Sequence, residues 1–134
     1  MGRAVRAYGW IERGDRMTIP KFRAWFKQGS KMVNVATIDF LEKEVKSHAN
    51  VMYSFDEIEL MQSTGLVDEN GKEVFEGDVV HAYGEDTYLI GVIEYFDNAY
   101  CIKNKNGIYN PLWINAEHYE IIGNIWEDGE LLDS

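Results

Sequence analysis

The stretch TGLVDENGKEVFEGDVV, residues 64–80, decides the fold because it carries two turn signals only a few residues apart. The pair Asn70-Gly71 is a strong short-range turn signal, since both residue types tolerate positive φ. The triplet EGD at residues 76–78 is a second turn signal, and the apolar run VVHAY comes after it as a strand would. We therefore predict a corner made of two turns that begins a small β-structure.

The other residues of this stretch predict how the corner is held. Thr64 and Asp68 can hydrogen-bond to nearby backbone groups, while Gly65 and Gly77 supply backbone conformations that a side chain disfavours. The predicted structural motif comprises Thr64, Gly65, Asp68, Asn70, Gly71, Gly77 and Asp78. The candidate core residues are Leu66, Val74, Phe75, Val79 and Val80. The stretch is therefore expected to serve folding.

The acidic residues of this stretch suggest a calcium loop, but the register excludes one. With Gly71 as the invariant glycine of such a loop, Leu66 falls at the first ligand position and Gly77 at the last. Both positions require oxygen donors, and the last requires a bidentate glutamate. The three histidines of the chain are isolated from other ligands. We predict no metal and no cofactor.

The C-terminal half predicts short strands between closely spaced turns. Residues 87–96, TYLIGVIEYF, are a long β-branched and aromatic run, in which Gly91 suggests a bulge or a sharp bend. Further turns are expected at Asp97-Asn98 and Asn106-Gly107, and the run YEIIGNIW at residues 119–126 also has the pattern of a strand. This pattern is typical of a small antiparallel barrel or sandwich.

The N-terminal half predicts a hairpin and then becomes ambiguous. KFRAWF and KMVNVATIDF flank a polar connection of hairpin length at residues 27–30. Residues 39–48 and 54–61 fit either helix or strand, and Ser54–Glu57 has the form of a capping box. We expect little helix, confined to a turn or two in these segments.

Length, composition and charge bound the class of protein. A chain of 134 residues with 46% hydrophobic residues is long enough for one domain. No run approaches a membrane helix or a signal core, and the single Cys101 fits a reducing compartment, so we expect a cytoplasmic protein. Residues 1–63 carry a net charge of +2 and residues 64–134 one of −12. Phosphate contacts by the C-terminal half are therefore disfavoured.

Residues 1–16 differ in composition from the rest of the chain. They contain three glycines and four arginines without a clean period, and an ordered pattern begins at Met17. The codons that can encode residues 12–15 include one sequence like a bacterial ribosome-binding site at a suitable distance from Met17. We interpret residues 1–16 as a non-native or disordered extension, with a genuine basic arm as the alternative, and residues 17–134 as one domain.

The segments IPKFRAW, LMQSTGLVDENGKEVFEGDVV and IIGNIWEDGELL resemble, in order and spacing, the YopX family of bacteriophage and prophage proteins. The resemblance covers the chain from about Met17 to Leu132. It implies a mainly β fold, namely a small antiparallel SH3-like barrel with an N-terminal β-rich extension and little helix. It also implies a phage-encoded accessory protein of no established activity, and therefore no catalytic residues.

The aromatic residues of the C-terminal half exceed what one small core is expected to bury, and some of them are candidates for a binding surface. The candidate partner-binding residues are Tyr95, Phe96, Trp113, Glu85, Asp86 and Glu94. No nucleophile motif or phosphate loop accompanies them, so we predict a non-enzymatic module that binds a host or phage protein, with its acidic face suited to a basic partner. The alternatives are an acidic decoy that mimics nucleic acid, an enzyme of unrecognised type and a homo-oligomeric structural role.

Overall fold

A computed structural model of the chain describes residues 19–83, 88–112 and 118–133, with the Tyr88 side chain excepted. The extension expected at residues 1–16 lies outside this part of the chain. The described residues form eleven strands in two antiparallel sheets. The strands are β1 (Phe22–Phe26), β2 (Lys31–Asp39), β3 (Glu44–Ser47), β4 (Met52–Ser54), β5 (Ile58–Val67), β6 (Glu73–Phe75), β7 (Asp78–Tyr83), β8 (Tyr88–Phe96), β9 (Ala99–Lys103), β10 (Tyr109–Pro111) and β11 (Tyr119–Asn124).

The first sheet has the order β4-β3-β2-β1-β5-β6. Its β1–β2 pair is the hairpin that the sequence predicts, with Arg23 opposite Asn34 in the register. One face of this sheet buries a cluster formed by Ala24, Val45, Tyr53 and Ile58. The alternation of buried and half-buried residues along β3 follows from the period of two in a strand.

The second sheet has the order β10-β9-β8-β7-β11. Its core includes Val80, Ile93, Ile102 and Tyr119, and Val74 of β6 is buried in the same cluster. Because β6 belongs to the first sheet, the two sheets share this core through the predicted corner at residues 64–80.

The mainly β fold with little helix is confirmed. The SH3-like barrel does not appear as a closed one, since β10 and β11 are the edges of the second sheet and no ladder joins them among the described residues. The pairing of β11 with β7 shifts between Ile121 and Gly123, which marks a bulge in the sheet.

The two ambiguous segments are mostly strand. Residues 40–43 form a turn that leads into β3, and Phe55–Glu57 is a single turn of 3-10 helix before β5. The α-helix of the described residues, α1, lies instead at Ile125–Asp128, where the sequence predicted the end of a strand. Asn124 causes the change, because its side chain accepts the backbone N–H groups of Trp126 and Glu127 and so caps the helix.

Two local predictions are wrong. Gly91 is not at a bulge, because β8 keeps a regular register with both neighbours. A Cβ at Gly91 would lie 2.6 Å from both the Ile102 side chain and the Lys103 carbonyl oxygen, so close approach of β9 explains the glycine. Leu66 is 40% exposed and not in the core. The pairing of β5 with β6 shifts between Ser63 and Val67, and the strict alternation is lost there.

Candidate functional site

The predicted corner is held by Asp68, which is buried. Its Oδ1 accepts the N–H groups of Asn70 and Lys72, each at 2.9 Å, and closes the turn in which Gly71 has φ +81°. Its Oδ2 accepts the N–H of Ile121 on β11 at 3.0 Å. Burial raises the pKa of Asp68, but these three N–H donors favour the charged form and bring the pKa below its ordinary value.

The loop at residues 104–108 repeats this turn and shows what the carboxylate adds. Asn104 Oδ1 accepts the N–H groups of Asn106 and Ile108 at 2.9 and 3.0 Å, in the same spacing as Asp68. Gly107 has φ +80°, as Gly71 has in the first loop. An amide suffices where both bonds are local, whereas the bond to β11 requires a second acceptor oxygen.

Thr64 and the glycines of the motif have local roles. Thr64 Oγ1 donates to the Val74 carbonyl oxygen at 2.8 Å and accepts the Leu66 N–H at 3.1 Å. Gly65 and Gly77 have φ of +80° and +87°, in the left-handed region. The motif therefore fixes the path of the chain between the sheets.

Asp78, the last residue of the motif, makes a buried ion pair. Arg23 on β1 donates to Asp78 Oδ1 at 2.8 Å, and Asp78 Oδ2 accepts the Phe75 N–H at 2.8 Å. The Arg23 guanidinium also lies 4.7 Å from the centre of the Phe75 ring. Burial raises the pKa of the Asp78 carboxyl, although Arg23 acts in the opposite direction.

The β8–β9 hairpin carries the exposed aromatic residues. Asp97 and Asn98 both have positive φ, as in a tight two-residue hairpin turn, and this turn joins the ends of β8 and β9. Tyr95 and Phe96, which precede the turn, are 55% and 48% exposed. Tyr95 meets Tyr100 edge to face, with 5.1 Å between the ring centres. Exposed aromatic side chains held by neighbours are the kind of residue that dominates protein interfaces.

Phe96 belongs to a network that crosses three strands. Its ring stacks on Tyr109 of β10 at 4.0 Å. The Tyr109 hydroxyl donates to Glu94 Oε1 at 3.2 Å, and Lys103 Nζ lies 3.7 Å from Glu94 Oε2. Glu94, a predicted partner-binding acid, is therefore already engaged within the protein. By the regular register, Phe96, Glu94, Tyr109 and Lys103 share one face of the hairpin, and Tyr95 lies on the other face. We name these five residues, which flank the end of the hairpin on both faces, the hairpin surface.

A groove of about 590 Å³ runs beside the hairpin surface. Tyr95, Lys103 and Trp126 of α1 are among its lining residues. Trp126 is 39% exposed, and its indole N–H donates to Met61 Sδ at 3.3 Å. Its ring also stacks with Trp25 at a centre-to-centre distance of 6.4 Å. The groove is thus bounded by fixed side chains.

The sequence found only part of this site. Tyr95, Phe96 and Glu94 lie together on the hairpin, whereas Glu85, Asp86 and Trp113 lie outside the described residues. The sequence did not predict that Trp126 and Lys103 line a groove. Trp126 could have been suspected, because it is aromatic and has polar neighbours in the sequence. Its contact with Met61 could not be predicted, because the two residues are 65 positions apart.

The part of the chain that the structure describes gives little support to a metal site, a reactive cysteine or a membrane helix. Among residues 19–83, 88–112 and 118–133, no group of three or more His, Cys, Asp or Glu side chains could hold a metal ion. Cys101 is buried in β9, and burial followed by the charge of Asp97 raises the pKa of its thiol. A raised pKa makes this thiol a poor nucleophile. The helices of the described residues are too short and polar to cross a membrane.

Comparison with known proteins places this architecture in a family. The sequence profile of the YopX protein family matches residues 21–133. The chain belongs to the YopX family. A search of curated protein sequences found no significant match.

Two solved structures share the YopX fold with this chain. The crystal structure of protein EF1440 from Enterococcus faecalis has 28% sequence identity and a TM-score of 0.61, and the match covers 87% of this chain and 99% of that one. The crystal structure of protein yopX from Bacillus subtilis has 15% identity and a TM-score of 0.57, and the match covers 83% of this chain and 96% of that one. The two likenesses extend over nearly the whole of both neighbours.

Proposed function

We propose that this YopX-family protein is a non-enzymatic protein-interaction module, encoded by a phage or prophage and active in the bacterial cytoplasm. The observation that carries the proposal is the hairpin surface, where Tyr95 and Phe96 are half exposed but held by ring contacts to Tyr100 and Tyr109. Rigid aromatic side chains lose little conformational entropy on binding, so they favour association.

The charge of the C-terminal half has a structural use, which weakens the alternative of an acidic decoy. Many of its carboxylates accept hydrogen bonds from the protein and hold turns, strand ends or side chains in place. These carboxylates belong to Asp68, Glu69, Glu73, Glu76, Asp78, Glu94, Glu120, Glu127 and Asp128. A decoy needs carboxylates presented freely like phosphates, so the module is the better supported function.

Affinity capture from a bacterial host lysate tests the proposal when it includes matched variants. The double variant Tyr95→Ser, Phe96→Ser removes the hairpin aromatics. The control Phe40→Ser, Leu41→Ser removes an even more exposed apolar pair, 72% and 87% exposed, at the β2–β3 turn. We expect quantitative mass spectrometry to show at least one captured protein that falls about tenfold or more with the hairpin variant alone.

Two outcomes of the capture experiment count against the proposal. Equal capture by the native protein and the hairpin variant would contradict a role for the aromatics. The acidic decoy would be favoured if the captured proteins bind nucleic acid, are released by salt and are captured equally by the variant without the hairpin aromatics.

A further inference from the structure

One edge of β5 has no described strand beside it at the groove. Residues of an antiparallel pair alternate between those that bond to the partner strand and those that face away. The Ser63 N–H donates to the Lys21 carbonyl oxygen at 2.8 Å on the β1 side, so Met61 also faces β1. The N–H and C=O groups of Leu60 and Gln62 therefore face the opposite edge.

Gln62 is satisfied at that edge, and Leu60 is not paired with any described strand. The Glu76 N–H donates to the Gln62 carbonyl oxygen at 3.0 Å, and Glu76 Oε1 accepts the Gln62 N–H at 2.7 Å. At Gly77 the chain turns away into β7, and the described strands give β5 only β1 and β6 as neighbours. Leu60 thus offers an outward N–H and C=O to the groove, of which it is a wall residue.

The most exposed charged group of the groove suits an acidic segment. Its carboxylates, Glu76 and Glu94, are engaged by Gln62 and by Tyr109 with Lys103. Lys105 lines the groove, is exposed, and makes no ion pair with a described residue. It is one of only three basic residues between positions 64 and 134. The charges of the lining balance overall, since Glu76 keeps its negative charge when it accepts a neutral N–H, and Lys105 is the most exposed charged residue of the groove.

We propose that the groove binds an extended peptide segment of the partner, which adds beside Leu60 as a short strand. An apolar side chain of the segment packs against Trp126 and Val92, and a flanking carboxylate pairs with Lys105. Strand addition supplies affinity through backbone hydrogen bonds, and the pocket supplies selectivity through alternate side chains. The inference rests on the proposed function, since it names the partner of the same surface.

Short synthetic peptides test the inference directly. Three peptides share one alternating apolar core and differ only in their flanks, which are glutamate, glutamine or lysine. We expect the glutamate peptide to bind about two- to fivefold more tightly than the glutamine peptide, and the lysine peptide to bind most weakly. In NMR titrations of the full chain, the backbone amide of Leu60 and the indole N–H of Trp126 should shift.

Matched charge variants test whether Lys105 causes the preference for glutamate flanks. Lys105→Gln should abolish the preference for glutamate over glutamine flanks and leave binding of the glutamine peptide unchanged. Lys72→Gln removes the same charge from the same half of the chain, outside the groove, and should leave the preference intact.

The other results overturn the inference. Absence of binding by all three peptides, shifts elsewhere than Leu60 and Trp126, or tightest binding of the lysine peptide would each contradict it, the last in favour of a basic partner. If the peptides fail while the hairpin variant still loses captured proteins, the strand-addition inference falls and the proposed function stands. If the hairpin variant captures normally, the proposed function itself fails.

Discussion

Arg23 on β1 and Asp78 at the start of β7 are joined by a 2.8 Å ion pair that connects the two sheets. Their side chains are only 12% and 4% exposed. Arg23 also donates to the Glu76 carbonyl oxygen at 3.1 Å, so the guanidinium holds the turn that precedes Asp78. The pair ties the first hairpin to the corner of the fold.

Replacing Asp78 by Asn should destabilise the protein by about 3 kcal/mol, because it leaves a buried guanidinium without its counter-charge. Urea unfolding at neutral pH measures the loss. Lys27→Gln is the control, since its pair with Glu59 spans 3.4 Å between half-exposed side chains and should contribute less than about 1 kcal/mol. Equal effects of the two substitutions would show that burial of the Arg23 pair has no energetic consequence.

Local chemistry explains why the turns could be predicted and the long contacts could not. The positive φ at Gly71, Gly77 and Gly107 follows from residue type and immediate neighbours. The partner of Asp68 on β11 lies 53 residues away, and that of Arg23 lies 55 residues away. A single sequence shows no period or spacing that encodes such pairs.

The candidate site, like the fold, could be predicted only where it depends on neighbouring residues in the sequence. Tyr95 and Phe96 could be named because they directly precede a recognisable two-residue turn in a β-rich half. The groove beside them joins Leu60, Tyr95 and Trp126, which come from three separate segments. Only the fold brings these residues together, and the first two residues of α1 were predicted as the end of a strand.

Replacing Gly77 by Val should cost about 3 kcal/mol, more than a positive-φ glycine alone requires. Its φ is +87°, and an added Cβ would lie 2.8 Å from Met61 Sδ. Gly107→Val is the control, because Gly107 has φ +80° but no atom of a described residue within 4 Å of an added Cβ, so only backbone strain of about 1 kcal/mol applies. Thermal unfolding of both variants separates the clash from the strain, and identical losses would rule out the clash.

Cys101 should react with a disulfide reagent about a hundredfold more slowly in the native protein than in the unfolded chain. Its side chain is buried in β9, and burial raises the pKa of the thiol. Stopped-flow labelling with and without urea gives the two rates at one pH. Fast labelling of the folded protein would show that β9 opens readily or that the thiol is accessible.

The pH dependence of stability should report on Asp68. Its pKa in the folded protein is lowered from the ordinary 3.8, because the effect of burial, which raises the pKa, is outweighed by the N–H donors of Ile121, Lys72 and Asn70. The folded state therefore favours the charged carboxylate more than the unfolded chain does. This stabilisation is complete above the ordinary pKa and is lost as the pH falls through the lowered one.

Asp68→Asn should lower the free energy of unfolding at neutral pH by about 1–3 kcal/mol, since an amide nitrogen cannot accept the Ile121 N–H. The variant should also lose less stability than the native protein between neutral pH and about pH 3, because the titrating group is gone. Asn104→Ala is the control, because it removes two equivalent hydrogen bonds of a loop without removing a charge. It should lower the free energy of unfolding by the same amount at every pH. Urea unfolding across this pH range measures all three proteins. Parallel curves for the native protein and Asp68→Asn would mean that the carboxylate of Asp68 is not held in its charged form by the bond to β11.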